Sequence, residues 1–199
     1  MLVKHTRYTV PSWGAGDLWT SDGVVLAHDF SFDIAEVSGG AFAHRARPPK
    51  GAQSPPSGTV PSLSPRMGHR SVPNLQHHGS GTPSVDTEDL VERFAAFLAG
   101  EDASFDDVAL DLSWTTSFQR AVADTLRAVP RGEVVSYGEL AALVGHPRAQ
   151  RAVGTFCARN RFMLLVPCHR VIGSNGIGGY GSAGVAVKRR LLALEGVTP

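Results

Sequence analysis

The sequence predicts a chain in two parts: an α/β part over residues 1–112, then a mainly α part over residues 113–199 built on a helix-turn-helix. Three observations carry this division. Short alternating runs joined by Asp22-Gly23 open the chain, which is a hairpin pattern. Beyond Ser113 the apolar residues recur at helical spacing, with start and stop signals between them. Charge also divides there. Residues 1–112 carry eight Lys/Arg against fourteen Asp/Glu, a net −6, and residues 113–199 carry eleven against four, a net +7.

Taken in order, Tyr8–Val10, Gly16–Ser21 and Val24–Phe30 read as strands, with Leu18 and Val24 to bury at the hairpin. Residues 38–83 hold eight of the thirteen prolines and no acid, so this stretch cannot bury enough apolar area to offset its ordering entropy. It is expected to be a long disordered or loosely held loop. Its His69, His77 and His78 lack cysteine or carboxylate companions at ligand spacing, and no structural zinc site is expected there. Leu90, Phe94 and Phe97 mark a helix to about Ala99, stopped by Gly100. Val108–Leu112 alternates like a strand, and Thr116 or Ser117 opens a helix with Phe118, Val122 and Leu126 on one face.

Ser136 and Glu139 then form an S-x-x-E capping box, in which each side chain satisfies a backbone N–H at a helix start. Leu140 and Leu143 supply that helix's apolar face, and Gly145 ends it. Pro147 is placed in the first turn of a second helix that carries Arg148, Arg151, Ala152, Val153 and Phe156 to about Arg159. Two short helices around a glycine, the second basic, make the helix-turn-helix pattern. Phe162–Val166 reads as a buried strand or extended segment leading to Pro167-Cys168-His169-Arg170. A glycine-rich loop follows over 173–184, without the Lys-Ser/Thr of a phosphate-binding loop, and Lys188–Leu194 forms a last helix.

Composition narrows the function classes. The chain has 199 residues, 42% of them hydrophobic, which is enough for a core. No apolar run approaches the roughly 18 residues of a membrane span, so no membrane partner is expected. The opening MLVKHTRYTV lacks the apolar stretch of a secretory signal. With two cysteines, a reducing cytoplasm is expected and a disulfide framework is not. The basic C-terminal part suggests a polyanion partner.

Cys168 carries the chemical question. A cysteine after an apolar segment is most often a buried, inert small residue. Metal binding is disfavoured because Cys168 and His169 are adjacent, and pairing with Cys157 is opposed by the reducing compartment. The nucleophile reading needs a base and something to orient it. His169 can be the base, directly or through water, and Glu195 can fix the imidazole.

Beyond these residue-level readings, the segments SFQRAV, VPRGEVVSYGELA, RAVG, PCHRVIG and LLALEG, in that order between Asp86 and Val197, resemble the O6-alkylguanine-DNA alkyltransferases, also called methylated-DNA–protein-cysteine methyltransferases. The resemblance implies a ribonuclease-H-like α/β N-terminal domain and a C-terminal winged-helix-like domain with the helix-turn-helix. It implies minor-groove binding to double-stranded DNA containing alkylated guanine, by a monomer in the cytoplasm, nucleoid-associated in a prokaryote. The damaged base is flipped out and its alkyl group passes irreversibly to one cysteine, from O6-alkylguanine and also from O4-alkylthymine. By matching motif the acceptor is Cys168, with His169 withdrawing its proton through water, Glu195 orienting the histidine and Asn160 bracing the turn. Tyr137 would donate a proton to the leaving guanine, and Arg151 would fill the space left by the base. Ser136, Ala152 and Gly154 would lie on the DNA, and Val171 (through its carbonyl), Cys157, Tyr180 and Ser182 would contact the base. No cofactor or metal is implied for this chain, which lacks the N-terminal cysteines through which some relatives hold zinc. The alternative function is a sensor that binds alkylguanine without repairing it; related sensors carry another residue where Cys168 stands.

Several positions depart from the family pattern. Arg161 stands where a proline is common, and Met163 replaces a second pocket proline. Cys157 occupies an apolar pocket position, and the loop around Tyr180 is shifted by one residue.

Overall fold

Asp22 and Gly23 both adopt positive φ, 49° and 77°, the two-residue turn whose twist matches a β-hairpin. They join β2 (Gly14–Ser21) to β3 (Val24–Phe32), and β1 (Lys4–Val10) completes a three-stranded antiparallel sheet in the order β1-β2-β3. The structure is a computed structural model that describes residues 2–33 and 85–198. The loop expected over 38–83, with His69, His77 and His78, lies outside the described residues.

Each strand extends past its sequence-derived bounds. A register shift between Trp19 and Thr20 inserts one residue into β3. The bulge changes the phase of burial, so Val25, His28 and Phe30 face the core and Val24 is only half-buried. The free edge of β3 is taken by two distant segments. Val25 exchanges backbone hydrogen bonds with Ala109 and Asp111 at 2.9 and 2.8 Å. His28 does the same with Arg161 and Met163 at 2.7 and 3.2 Å. The segment read as a strand over Val108–Leu112 is therefore a single parallel bridge at Leu110, because only one residue of it meets β3.

Five α-helices follow among the described residues. In α1 (Thr87–Leu98), Asp86 caps the start and Leu90, Phe94 and Phe97 are buried. The helix α2 (Ser117–Arg127) starts on a complete Thr116/Gln119 capping box and buries Val122 and Leu126, while Phe118 is half-buried against His146. A two-residue strand β4 (Val135–Ser136) pairs in parallel with β5 (Val171–Ile172) and feeds α3 (Tyr137–Leu143), capped by the Ser136/Glu139 box.

Two expectations for the helix pair change. Leu143 is 55% exposed, and Ala141 shares the buried face with Leu140 instead, because the short helix turns Leu143 away from the core. Pro147 lies in the turn before α4 (Gln150–Ala158), which begins at Gln150 without a side-chain cap. Phe162–Val166 is apolar and largely buried as expected, but it is a turn and not a strand: Val166 N–H donates to the Phe162 carbonyl at 2.8 Å, and Leu164 sits at φ 69°. The last helix, α5 (Gly184–Leu194), starts four residues earlier than expected and ends on Glu195. Among the described residues no helix is long and apolar enough to cross a membrane.

Candidate active site around Cys168

The turn Phe162–Val166 delivers Cys168 onto a single helical turn, Cys168–Arg170, that leads into β5. Cys168 is 5% exposed. Asn160, at the end of α4, grips the turn from inside. Its Oδ1 accepts from Phe162 N–H at 2.9 Å, which fixes the amide so that Nδ2 donates to the Val166 carbonyl at 2.8 Å and to Cys168 Sγ at 3.2 Å. Asn160 thus braces the turn and touches the sulfur.

His169 is fully buried, edge-on to Phe97 and Tyr180. Its Nε2 lies 2.9 Å from Glu195 Oε1. A carboxylate only accepts, so Nε2 carries the proton and Nδ1 carries the lone pair. Among the described residues Nδ1 has no hydrogen-bond partner. Burial lowers the His169 pKa and outweighs the opposing pull of Glu195, which favours the neutral ring.

Glu195 is held from the other side by Arg170, whose Nη2 lies 2.8 Å from Oε1 and Nε 3.1 Å from Oε2. Arg170 also donates to the Val129 carbonyl at 2.6 Å. Burial alone would raise the Glu195 carboxyl, but hydrogen bonds from His169 and Arg170, and their charges, hold it down at about 2. The set Arg170–Glu195–His169 therefore presents an ionised carboxylate and a fixed tautomer. Sequence reasoning missed Arg170; its place in PCHR was the available signal.

Burial raises the Cys168 thiol, only partly offset by Asn160 and by the Lys188 charge. A thiol so held is protonated at rest and needs a base when it reacts. Lys188, also missed, is fully buried and donates to the Val171 carbonyl at 2.5 Å and the Gly179 carbonyl at 3.2 Å. One lone pair of the Val171 carbonyl is therefore already in use.

Two cavities meet at Cys168. The smaller, about 170 Å³, is lined by Tyr137, Gly154, Cys157, Cys168, Gly179 and Tyr180 among others. The larger, about 380 Å³, runs from Cys157, Cys168, Tyr180 and Ser182 past Asn160 and Met163 to Trp19 and His28 on the sheet. Cys157 lines both, and burial and the neighbouring Cys168 push its thiol up to about 12. Tyr137 packs between Gly154 and Gly178, where a Cβ would come within 3.8 and 3.3 Å of its ring. Tyr180 is buried with its hydroxyl toward the Cys168 sulfur, though without a hydrogen bond of ordinary geometry. Arg151, Ala152 and Ser182 are exposed and Ser136 is half-buried at its cap. Arg151 and Ala152 stand apart from the cysteine on the first turn of α4, so the structure brings together Cys168, His169, Glu195, Asn160, Tyr137, Gly154, Cys157 and Tyr180 but not these two. Among the described residues no group of His, Cys, Asp or Glu could hold a metal ion.

Fold and site together define a mixed α/β protein with a buried cysteine beside an oriented imidazole. Residues 117–197 match the family profile described as 6-O-methylguanine DNA methyltransferase, DNA binding domain. The chain is 45% identical over 127 residues to a methylated-DNA–protein-cysteine methyltransferase of Salmonella typhimurium, covering 62% of this chain and 73% of that one. A protein of the same description from Metallosphaera sedula is 44% identical over 107 residues, covering 54% of this chain and just under two thirds, 66%, of that one. The solved structure of Mycobacterium tuberculosis OGT in complex with DNA is similar with a TM-score of 0.62 at 30% identity, over 96% of this chain and 92% of that one. The chain belongs to the methylated-DNA–protein-cysteine methyltransferase family.

Proposed function

We propose that this protein repairs DNA by moving the alkyl group of O6-alkylguanine, and of O4-alkylthymine, onto Cys168 in a single-use reaction. The observation that carries this reading is the placement of the Cys168 sulfur at the junction of two cavities. There it is touched by Asn160, and the next residue in the chain carries an imidazole whose tautomer Glu195 sets. In the proposed reaction the Cys168 proton passes through a water to His169 Nδ1, the nitrogen with the free lone pair. The thiolate sulfur then bonds the alkyl carbon as the carbon–O6 bond breaks. The electron pair of that bond goes to the base, which Tyr137 protonates as it leaves. The sulfur ends as a thioether with no route back to a thiol, so the protein is consumed.

DNA would lie along α3 and α4, in the minor groove, with Ser136, Ala152 and Gly154 near the backbone and Arg151 filling the gap left by the flipped base. Flipping costs a few kcal/mol, which an inserted side chain and a close pocket offset. The +7 charge of residues 113–199 supports sequence-independent phosphate affinity. The smaller cavity, with Tyr137, Cys157 and Tyr180, would receive the base. Ser182 would contact the base at its rim, and the second lone pair of the Val171 carbonyl remains for the same purpose. We read residues 1–112 as a ribonuclease-H-like domain and residues 113–199 as a winged-helix-like DNA-binding domain, acting as a monomer.

Incubation with duplex DNA containing O6-methylguanine should add one methyl mass to the peptide carrying Cys168. An unchanged mass, or an adduct on Cys157 alone, defeats the assignment. Replacement Arg151→Ala should slow repair of duplex DNA on the order of tenfold, about 1.4 kcal/mol, with a smaller effect on a free alkylguanine base. Equal losses on both substrates would place Arg151 in the pocket.

A further inference from the structure

Every residue given a chemical role above lies beyond Ser113, yet the turn that carries Cys168 is also held by a polar group from the N-terminal sheet. His28 on β3 is 1% exposed and stacks on Phe94 with ring centroids 4.1 Å apart and planes 7° from parallel. Its Nδ1 lies 2.5 Å from the Met163 carbonyl. A carbonyl only accepts, so Nδ1 carries the proton and Nε2 must accept from the Tyr8 hydroxyl, 2.7 Å away. Both ring nitrogens are satisfied in one tautomer, and the stacking on Phe94 fixes the ring's orientation.

The segment gripped in this way is strained. Leu164 sits at φ 69°, a region that costs a non-glycine residue about 1 kcal/mol or more and persists only when the surroundings over-determine it. Asn160 holds the two ends of the turn, at Phe162 N–H and the Val166 carbonyl, and His28 holds its second residue. With the Met163 carbonyl released, this hold on the turn's second residue is lost, and the contact of the Asn160 amide with the sulfur rests on Asn160's own hydrogen bonds.

We propose that His28 is a positioning residue for the acceptor cysteine, acting through Met163 and the strained turn to keep Asn160 against Cys168 Sγ. The proposal rests on Cys168 being the acceptor. It makes the sheet part of the reactive apparatus: Tyr8 completes the hydrogen bonds of the His28 ring, His28 sets the turn, and the turn sets the thiol.

The test compares His28→Leu, which keeps the bulk and loses both hydrogen bonds, with His28→Asn, whose amide can still donate to the Met163 carbonyl. The expected result for His28→Leu is a single-turnover rate lower by about tenfold or more on both methylated duplex and free O6-benzylguanine. The affinity for unmodified duplex should stay within about twofold, and the apparent pKa of Cys168 should rise as Asn160 withdraws. Restoring the donor with His28→Asn should recover most of the rate and the pKa. A rate and pH profile for His28→Leu equal to the wild type overturn the proposal, as does an equal defect in both variants, which marks a merely structural role. If His28→Leu does not fold, His28→Phe, which keeps an aromatic ring on Phe94 and loses both hydrogen bonds, takes its place. A rate within about twofold of wild type with an unchanged apparent Cys168 pKa then overturns the proposal. Labelling of the Cys168 peptide by iodoacetamide across pH reads the same thiol without DNA. If no methyl transfer is seen at all, the repair reading fails, and the labelling comparison still decides the role of His28.

Discussion

Among the described residues two histidines are buried, His28 on the sheet and His169 beside Cys168 in the chain, and they are satisfied to different extents. His28 has a partner on each nitrogen, Tyr8 and the Met163 carbonyl. His169 has one, Glu195, and its other nitrogen has none among the described residues. Burial lowers the pKa of both, His28 to about 4, so both rings are neutral near pH 7. A buried polar atom without a partner costs about 1–3 kcal/mol, so it is retained where it has a use. The fully bonded ring can only hold things in place, whereas the half-bonded ring keeps a lone pair for a proton. Hydrogen-bond bookkeeping separates positioning from chemistry here, where burial and pKa do not.

The sharpest break of this comparison is His169→Leu. With His169 as the proposed base, its removal should slow methyl transfer about 10²–10⁴-fold while leaving DNA affinity unchanged. Single-turnover rates set against a binding titration check this, and a loss below tenfold would mean that another group takes the proton.

Glu195→Gln comes next. Losing the charge leaves Arg170 without the carboxylate that faces it, which costs about 3 kcal/mol or more of stability. It also weakens the imidazole as a base, so the apparent thiol pKa should rise. Glu195 itself is held at about 2 against an ordinary 4.5. A carboxyl lowered in the folded state stabilises fully above its unfolded pKa, and this contribution fades as pH falls from 4.5 towards 2. Urea midpoints over that window should fall steeply for the wild type and flatten in Glu195→Gln; equal slopes would remove Glu195 from the ion pair.

The acid window of His28 lies higher. Its folded pKa is about 4 against an ordinary 6.5, so its contribution is intact above 6.5 and lost as pH falls through 4. The wild type should lose on the order of 3 kcal/mol from this residue between those limits, with a further share from His169. His28→Leu should lose less over the same range. If both proteins show the same pH slope by chemical denaturation, His28 is not the neutral, doubly bonded ring described.

What could be read in the sequence was local. The Asp22-Gly23 turn, the helix start at Thr116, the box at Ser136/Glu139, and the helical faces of Leu90 and Val122 use hydrogen bonds and contacts that reach only a few residues along the chain. PCHRVIG, with the segments around it, points to Cys168, His169 and Glu195 through the family resemblance those segments carry. The rest depended on distance. Nothing in FMLLV distinguishes a buried strand from the turn it forms; that was decided by β3 pairing with Arg161 and Met163. Leu143 was assigned to the core by its spacing, but the helix is too short and its surroundings too open to bury it. Arg170 on Glu195, Lys188 on the Val171 carbonyl and His28 on Met163 each join residues far apart in the chain. The sequence by itself therefore determined the hairpin, the helix starts and the candidate reactive groups, since local geometry and side-chain chemistry are written residue by residue. Only the tertiary structure decided which polar atoms are satisfied, because a buried donor finds its acceptor where the fold brings one.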